Sequence, residues 1–248
     1  MLERVRIVLV EPTGPANVGA VCRGMANLGF SELVLVAPRC ELMHPEAVGF
    51  AANAGHVLRS ARVVDSIPPA LSGCVKTFAA TSKAGLYRRQ AALSAERAAR
   101  RAIELLPEGP CTFVFGPERT GLTTPELMHF DYVVTIPTDE AYPALNLASA
   151  VVIVCYELRR AWLASGEAAP PAAARGEPLA SDERKQILFE RLFDALERVG
   201  FFRGQQSPEH LRLALRRVLG RADLTVNEAD ILIGMAQQIR WYTEHRSR

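Results

Sequence analysis

The sequence predicts an α/β fold with a mostly parallel β-sheet flanked by helices, followed by a helical C-terminal extension. Two observations support this prediction. Residues 1–164 alternate short, continuously apolar runs with helical patterns, as expected for strands that are buried on both faces of a parallel sheet. After an Ala/Pro-rich segment at 165–180, the apolar residues recur only with helical periodicity.

The first predicted domain, residues 1–164, contains strands and helices in alternation. The candidate strands are VRIVLV (5–10), ELVLVA (32–37), RVV (62–64), VKTFAA (75–80), CTFVF (111–115) and YVVTI (132–136). Helices are predicted over 17–28, 45–54, 94–106 and 145–164. Because the two kinds of element alternate, we expect the strands to pair in parallel and the helices to cover both faces of the sheet.

Residues 165–180 predict a semi-extended linker, because alanine and proline dominate their composition. Residues 181–248 then predict a helical extension of three helices, separated by turns at 200–207 and 220–225. Their apolar stripes consist of Ile187, Leu188, Leu192, Phe193, Leu196 and Val199, then Leu211, Leu215, Val218 and Leu219, and finally Ile231, Leu232, Met235 and Ile239.

Composition limits the classes of function. Apolar residues make up 49% of the chain and charged residues 23%, which predicts a packed core, and the net charge of +2 requires any nucleic-acid surface to be local. The cysteines form no CxxC pair and the histidines have no metal-ligand spacing, so we expect reduced thiols and no metal. Because the N-terminus does not resemble a signal peptide and no apolar stretch is long enough to span a bilayer, we expect a cytoplasmic protein without a membrane anchor.

The segment EPTGPANVGAVCRGMANLGF (11–30) joins the first strand to the first helix, where open α/β sheets hold ligands. Its glycine spacing is that of a phosphate-binding loop, but Ala20-Val21 occupies the place of the required Lys and Ser or Thr. No GxGxxG run follows the strand either. Asn17 and Arg23 remain as candidate ligand contacts, and the alternative is a capped helix with a solvated arginine.

Two further segments follow candidate strands. In FVFGPERTGLTTPEL (113–127) the strand ends at a Gly-Pro pair, where a ligand could approach the backbone, and Glu118 and Arg119 could form a simple surface ion pair. In TIPTDEAYPALNLASAVVIVCYELRR (135–160) a loop leads to a helix that Asn146 would cap. The backbone of this loop could hold an adenine or a methionyl group, or the loop could be an ordinary connection.

Two basic segments suit contact with RNA. ATSKAGLYRRQ (80–90) carries a lysine, Arg88 and Arg89 beside a tyrosine and contains no acid, which suits phosphate and base contact. In the tail, Arg212 and Arg216 share one face of a predicted helix. A solvated basic surface is the alternative for both segments.

In their order along the chain, these segments resemble one family. NVGAVCRGMANLGF, FVFGPERTGL and IPTDEAYPALNLASAV look like the three motifs of the SpoU branch of the SPOUT methyltransferases. The tail, with LFERLFDALERVGFF, LRRVLGRADLT and EADILIGMAQQI, resembles the C-terminal extension of the TrmJ tRNA methyltransferases. The resemblance covers nearly the whole chain.

The resemblance implies a trefoil knot in the C-terminal half of the α/β domain, a homodimer, and S-adenosyl-L-methionine bound in the knot. It also implies tRNA as the substrate, methylated on the ribose 2′-hydroxyl of nucleotide 32. The cofactor contacts that it implies, largely through backbone groups, are Thr81, Ser82, Gly116, Ile136, Pro143, Ala144, Leu145 and Asn146. Asn17, Arg23 and Glu118 would surround the reacting ribose. Because a guanidinium stays protonated, we expect Arg23 to hold a phosphate and stabilise the developing alkoxide rather than act as a base.

One position departs from the family pattern. The third motif usually reads Ser-Leu-Asn, whereas this chain has Ala144-Leu145-Asn146, so a hydroxyl expected beside the reacting ribose is absent. Tyr142 or Ser149 could compensate. An rRNA 2′-O-methyltransferase of the same branch and a non-catalytic RNA-binding relative are therefore the alternative functions.

Overall fold

The computed structural model describes residues 2–82, 92–127, 129–166, 177–203 and 208–245. The chain divides into two compact units, Met1–Ala174 and Arg175–Arg248. The predicted linker, 165–180, spans the boundary between these units. The first unit carries the α/β fold and the second carries the helical extension.

The first unit contains a seven-stranded sheet in the order β3-β2-β1-β6-β4-β7-β5. Its strands are β1 Val5–Val10, β2 Glu32–Val36, β3 Arg62–Val64, β4 Lys76–Ala80, β5 Leu93–Ser94, β6 Cys111–Phe115 and β7 Tyr132–Thr135. Every neighbouring pair is parallel. The parallel α/β fold predicted from the sequence is confirmed, whereas the trefoil knot stays a prediction.

Helices cover both faces of this sheet. They are α1 Pro15–Leu28, α2 Pro45–Ala51, α3 Gly55–Ser60, α4 Ile67–Leu71, α5 Ala95–Leu105, α6 Thr124–Leu127 and α7 Leu147–Ala164, with 3-10 turns at Leu2–Arg4 and Ala52–Ala54. α1 packs against α2 and α7, and α7 also packs against α5. α4 and α6 contribute Ile67, Leu71 and Leu127 to a buried cluster with Val8 and Val34 of the sheet.

Local signals fix the helix ends that matter for the site. α1 begins after Gly14 with a proline in its first turn, where the missing N–H costs nothing. It ends at Gly29, whose φ of 84° is left-handed and suits glycine. α7 begins at Asn146, whose side chain accepts hydrogen bonds from the amides of Ala148 and Ser149, as the sequence predicted.

Residues 177–203 and 208–245 of the second unit contain three helices, as predicted: α8 Asp182–Arg198, α9 Pro208–Arg221 and α10 Val226–His245. α8 packs against α10 along its length. The end of the predicted linker belongs to this unit, because Leu179 forms a β-bridge with Thr225 and the Ala180 amide donates to the Leu224 carbonyl over 2.8 Å. Both Leu179 and Ala180 are buried.

The sequence did not predict the shortest elements. β5 has two residues and α6 has four, so neither carries a periodicity of its own. α4 has the sequence IPPAL and is only one turn long, and its two prolines do not indicate a helix. Within the described ranges, no helix is long and apolar enough to cross a membrane. The same ranges contain no group of three His, Cys, Asp or Glu side chains placed to hold a metal ion.

Candidate active site

The loops that follow β4, β6 and β7 enclose a pocket of about 230 Å³ at the carboxyl edge of the sheet. These strands are neighbours, with Ala80 paired to Phe115 on one side and to Val134 on the other. Their loops therefore leave the sheet side by side, although they lie far apart in the sequence. Seven of the eight residues predicted to contact a cofactor line this pocket, namely Thr81, Ser82, Gly116, Ile136, Pro143, Ala144 and Leu145.

Gly116 allows the loop after β6 to fold back on itself. A Cβ atom at this position would lie 2.3 Å from the Leu122 nitrogen and 2.5 Å from the Gly121 carbonyl carbon, and both of these are backbone atoms. The chain itself needs this glycine, because Gly121 and Leu122 pack directly over Gly116. Access of a ligand to the backbone at Gly116, which the sequence suggested, stays a prediction.

Glu118 holds the loop that joins β1 to α1 through hydrogen bonds. Its carboxylate accepts hydrogen bonds from the Thr13 amide at 3.1 Å, the Thr13 hydroxyl at 2.9 Å and the Gly14 amide at 3.1 Å. The Asn17 side-chain amide donates to it over 3.0 Å. These donors occupy both oxygens, so the first and second sequence motifs are joined through one carboxylate.

The charge of Glu118 is stabilised by these donors. Burial alone would raise the pKa of Glu118, but the hydrogen bonds from Asn17 and from the backbone, including the amides of Thr13 and Gly14, outweigh burial and lower that pKa below its usual value. A carboxylate with a lowered pKa and occupied oxygens is a poor proton acceptor. Glu118 is therefore suited to holding Asn17 and the loop in place rather than to acid–base chemistry.

A second hydrogen bond extends the chain to the third motif. The Asn146 side-chain amide donates to Asn17 Oδ1 over 2.9 Å, while Asn146 Oδ1 caps α7. Asn17 thus accepts a hydrogen bond from Asn146 and donates one to Glu118, so its orientation is fixed from both sides. The three motifs, predicted from separate segments, converge on this chain of side chains.

Arg23 and the residues around Ala144 are exposed. Arg23 lies on the exposed face of α1, and the described residues offer it neither a hydrogen bond nor an ion pair. Ala144 lines the pocket, and its predicted contact with a cofactor stays a prediction. Tyr142 is 82% exposed, Ser149 is also exposed, and neither is among the described residues that line the pocket.

The predicted RNA-contact arginines of the tail have intramolecular partners. Arg212 forms an ion pair with Glu197 at 2.6 Å and lies over the ring of Phe202 at 4.7 Å. Arg216 is only 9% exposed, lies 4.4 Å over the Phe189 ring and donates to a glutamine of α8. Both guanidinium groups therefore help to pack the helical unit, and an RNA contact by either stays a prediction. Arg88 and Arg89 lie outside the described residues.

The thiols near the site are not nucleophiles. Burial, together with the nearby charge of Glu118, raises the pKa of the partly buried Cys40. Burial raises the pKa of Cys22, on α1, to about 12. Because the thiolate is the reactive form, neither side chain is suited to covalent chemistry at neutral pH.

Sequence reasoning missed Thr13 and the role of Gly14. Both donate to Glu118 through backbone amides, and an amide contact of this kind leaves no trace in the residue types. Gly14 also has little room for a side chain, because a Cβ atom would lie 3.0 Å from Asn17 Nδ2. The glycines of the first motif were the available signal, since they mark a loop whose backbone is approached closely.

Comparison with known proteins identifies the family. The model of the SpoU rRNA Methylase family matches residues 4–156. The chain belongs to the SpoU rRNA Methylase family. This confirms the predicted resemblance, and it accounts for the convergence of the three motifs on one chain of hydrogen-bonded side chains.

Individual members of the family extend the match to the helical tail. The chain is 36% identical over 243 residues to the tRNA (cytidine/uridine/adenosine-2′-O-)-methyltransferase TrmJ of Pseudomonas aeruginosa (strain UCBPP-PA14), which covers 95% of this chain and 93% of the relative. The crystal structure of TrmJ from Z. mobilis ZM4 matches with a TM-score of 0.77 at 29% identity, over 95% of this chain and 98% of that one. A structure described as giving insights into the 2-OH methylation of C/U34 on tRNA matches with a TM-score of 0.53 at 28% identity, over 64% of this chain and 97% of that one.

Proposed function

We propose that this chain transfers the methyl group of S-adenosyl-L-methionine to the ribose 2′-hydroxyl of nucleotide 32 in the anticodon loop of tRNA. The observation that carries the proposal is the hydrogen-bonded chain Asn146–Asn17–Glu118 beside the pocket. It holds residues of all three family motifs next to one cavity. Relatives with a tRNA 2′-O-methyltransferase activity match nearly the full length of the chain.

The pocket wall fits the proposed donor. Its apolar side chains, which include Val134, Ile136 and Leu147, suit an adenine ring, and its glycine, proline and alanine positions expose backbone groups. The volume of about 230 Å³ lies just below the range of roughly 300–1,000 Å³ for small-molecule sites. When bound, S-adenosyl-L-methionine supplies a methyl group on a cationic sulfonium. Thr81, Gly116, Pro143 and Leu145 would hold it, chiefly through their backbones.

Positioning should supply most of the catalysis. Methyl transfer is an in-line displacement, so its rate depends on how well the 2′-oxygen is aligned with the donor. The Asn17 amide is oriented by Glu118 and Asn146 and is available to fix the ribose. Neither Glu118 nor Arg23 is suited to accept the hydroxyl proton. The lowered pKa of Glu118 makes its carboxylate a weak base, and the guanidinium of Arg23 stays protonated. We assign proton acceptance to solvent water, with Arg23 stabilising the developing alkoxide.

The helical tail favours the nucleotide 32 assignment over nucleotide 34. The TrmJ relatives cover 95% or more of this chain, tail included, whereas the structure connected with C/U34 methylation covers 64%. A substrate preference shared with the TrmJ relatives is therefore the simpler inference. The bases accepted at the site should include cytidine and uridine, which are named for these relatives.

A homodimer is part of the proposal. α7 exposes Val152, Tyr156 and Leu163, and the exposed fractions of Tyr156 and Leu163 are 53% and 61%. α2, which packs against α1 as α7 does, exposes Val48 and Phe50. Exposed apolar side chains of this kind are typical of an interface between subunits. We infer that this face pairs two copies and that Arg23 serves the partner's site. A stable, active monomer in light scattering would contradict this.

The acceptor decides among the remaining functions. Tritiated S-adenosyl-L-methionine should label tRNA but not rRNA, and nuclease mapping should place the label at nucleotide 32. Labelling of rRNA would favour the alternative enzyme, and labelling at nucleotide 34 would refute the site assignment. RNA binding without any methyl transfer, together with no donor binding by calorimetry, would favour the non-catalytic relative.

A further inference from the structure

Arg119 lies on the wall of the pocket, in the turn that follows Glu118. This turn is closed by a hydrogen bond of 2.9 Å from the Gly121 amide to the Pro117 carbonyl, and Gly121 has a left-handed φ of 63°. The turn places Arg119 and Thr120 at the mouth of the pocket, where both are exposed to solvent. Among the described lining residues, Arg119 is the one cationic side chain.

The Arg119 guanidinium has no partner within the part of the chain that the structure describes. The sequence suggested a surface ion pair between Glu118 and Arg119. In the structure, the Glu118 carboxylate turns to Thr13, Gly14 and Asn17 instead. Some other exposed arginines of the same unit do have partners, such as Arg39 with Glu11 at 2.8 Å and Arg100 with Glu96 at 2.6 Å, whereas Arg119, like Arg23, has none among the described residues. Arg119 is therefore a charge at the pocket that the protein leaves available.

Under the proposed reaction, the ligand best suited to this charge is an anion. A guanidinium repels the cationic sulfonium of the proposed donor, so Arg119 cannot contact the reacting group of that donor directly. Two anions would reach the pocket: a phosphodiester of the substrate RNA and the carboxylate of the donor's methionyl part. The forked donors of arginine match either one. The exposure of Arg119 favours the phosphate, because RNA must approach the mouth of the pocket from solvent.

We propose that Arg119 binds a phosphate of the tRNA strand next to the ribose that is methylated. This inference rests on the proposed function and assigns a substrate contact beyond it. A fixed phosphate would hold the adjacent ribose in register with the donor. Arg119 would thus determine how tightly and how accurately the RNA is placed, while leaving donor binding unchanged.

The experiment compares Arg119→Gln and Arg119→Lys in the full-length protein, with Arg62→Gln as a matched control. Arg62 is an exposed arginine on the edge strand β3, away from the pocket, and its loss changes the net charge equally. We expect Arg119→Gln to lower kcat/KM for tRNA by about ten- to a hundredfold, the range for losing a charged hydrogen bond. Arg119→Lys should recover part of the loss, and Arg62→Gln should stay near the natural protein.

Two binding measurements identify the anion. The slope of log tRNA affinity against log salt concentration should become shallower by about 0.7–0.9 in Arg119→Gln, the change expected for one phosphate contact. Calorimetric affinity for S-adenosylhomocysteine should not change. Weaker S-adenosylhomocysteine binding with unchanged binding of 5′-methylthioadenosine, which lacks the carboxylate, would overturn the proposal and assign Arg119 to the donor.

An unchanged salt slope and an unchanged methylation rate would also overturn the proposal, because Arg119 would then be a solvated arginine. The tRNA-binding measurement requires no turnover, so it tests Arg119 even if the proposed reaction fails. Absence of methyl transfer by the natural protein would refute the proposed function alone. A change of salt slope confined to Arg119→Gln would still support the phosphate contact.

Discussion

Replacing Glu118 by glutamine tests the hydrogen-bonded chain most sharply. Glutamine keeps one acceptor oxygen, which could still receive the Asn17 amide and the Gly14 amide. Its NH₂ group would then face the Thr13 amide and hydroxyl, which donate to the carboxylate in the natural protein. The Thr13 hydroxyl would lose its acceptor, and the Thr13 amide would keep only its longer contact of 3.3 Å with the retained oxygen. The remaining hydrogen bonds would lose the assistance of a charge.

We expect Glu118→Gln to reduce the free energy of unfolding by about 1–2 kcal/mol, the low end for losing charged hydrogen bonds at a partly exposed site. The methylation rate should fall by roughly a hundredfold, because the hydrogen bond that orients Asn17 loses its charged acceptor and small errors in positioning are costly. Urea unfolding and single-turnover methylation measure the two effects. Glu104→Gln is the matched control, since Glu104 is exposed and forms only a surface ion pair with Arg101.

The difference in unfolding free energy between the natural protein and Glu118→Gln should depend on pH, in a direction set by the pKa of Glu118. The pKa of Glu118 is lowered in the folded protein, so its charge stabilises the fold above the unfolded-state pKa of about 4.3. That stabilisation is lost as the pH falls through the lower, folded-state pKa. The gap between the natural protein and Glu118→Gln should therefore be full at pH 7 and narrow below about pH 4. A gap that is absent at pH 7, or that widens in acid, would refute the reasoning.

Three other changes address the remaining parts of the site. Arg23→Ala should abolish methyl transfer. Donor binding, measured by calorimetry, and the free energy of unfolding, measured by urea titration, should stay unchanged. Near-normal turnover would show that Arg23 is an ordinary surface residue. Ala144→Ser should raise single-turnover methylation by about ten- to a hundredfold without altering donor affinity, since one added hydrogen bond in the transition state is worth roughly 1–3 kcal/mol; an unchanged rate would mean that the hydroxyl is not needed. Truncation near residue 165, at the predicted linker, should leave a folded, donor-binding unit with weaker tRNA binding, and equal tRNA affinity of both forms would contradict this.

The sequence predicted the long elements of the fold because each has a strong local signal. β1, with six buried residues, could be recognised as a continuous apolar run, and α1 was bounded by a proline and by Gly29. β5 and α4 were not predicted, because β5 pairs with β7 and α4 packs against β2, and both neighbours are distant in sequence. Burial against those neighbours, not local preference, makes such short elements stable.

The position of the pocket could also be predicted, because loops that follow neighbouring parallel strands meet at one edge. The contacts that individual side chains form could not be predicted. Glu118 contacts the loop at Thr13 and Gly14, more than a hundred positions earlier in the chain. Arg212 and Arg216 formed a basic face by helical spacing, yet aromatic rings of the same unit pack against both. Residue spacing along one helix carries no information about the helix packed against it.

The proposed methylation of the ribose 2′-hydroxyl of nucleotide 32 is tested most directly with a tRNA that lacks this one oxygen. Two synthetic tRNAs would be compared under single-turnover conditions with tritiated S-adenosyl-L-methionine, one natural and one carrying a 2′-deoxyribose at nucleotide 32. We expect label in the first and none in the second, with both tRNAs bound equally well. Equal labelling of the two, or failure to label either, would contradict 2′-O-methylation at this nucleotide.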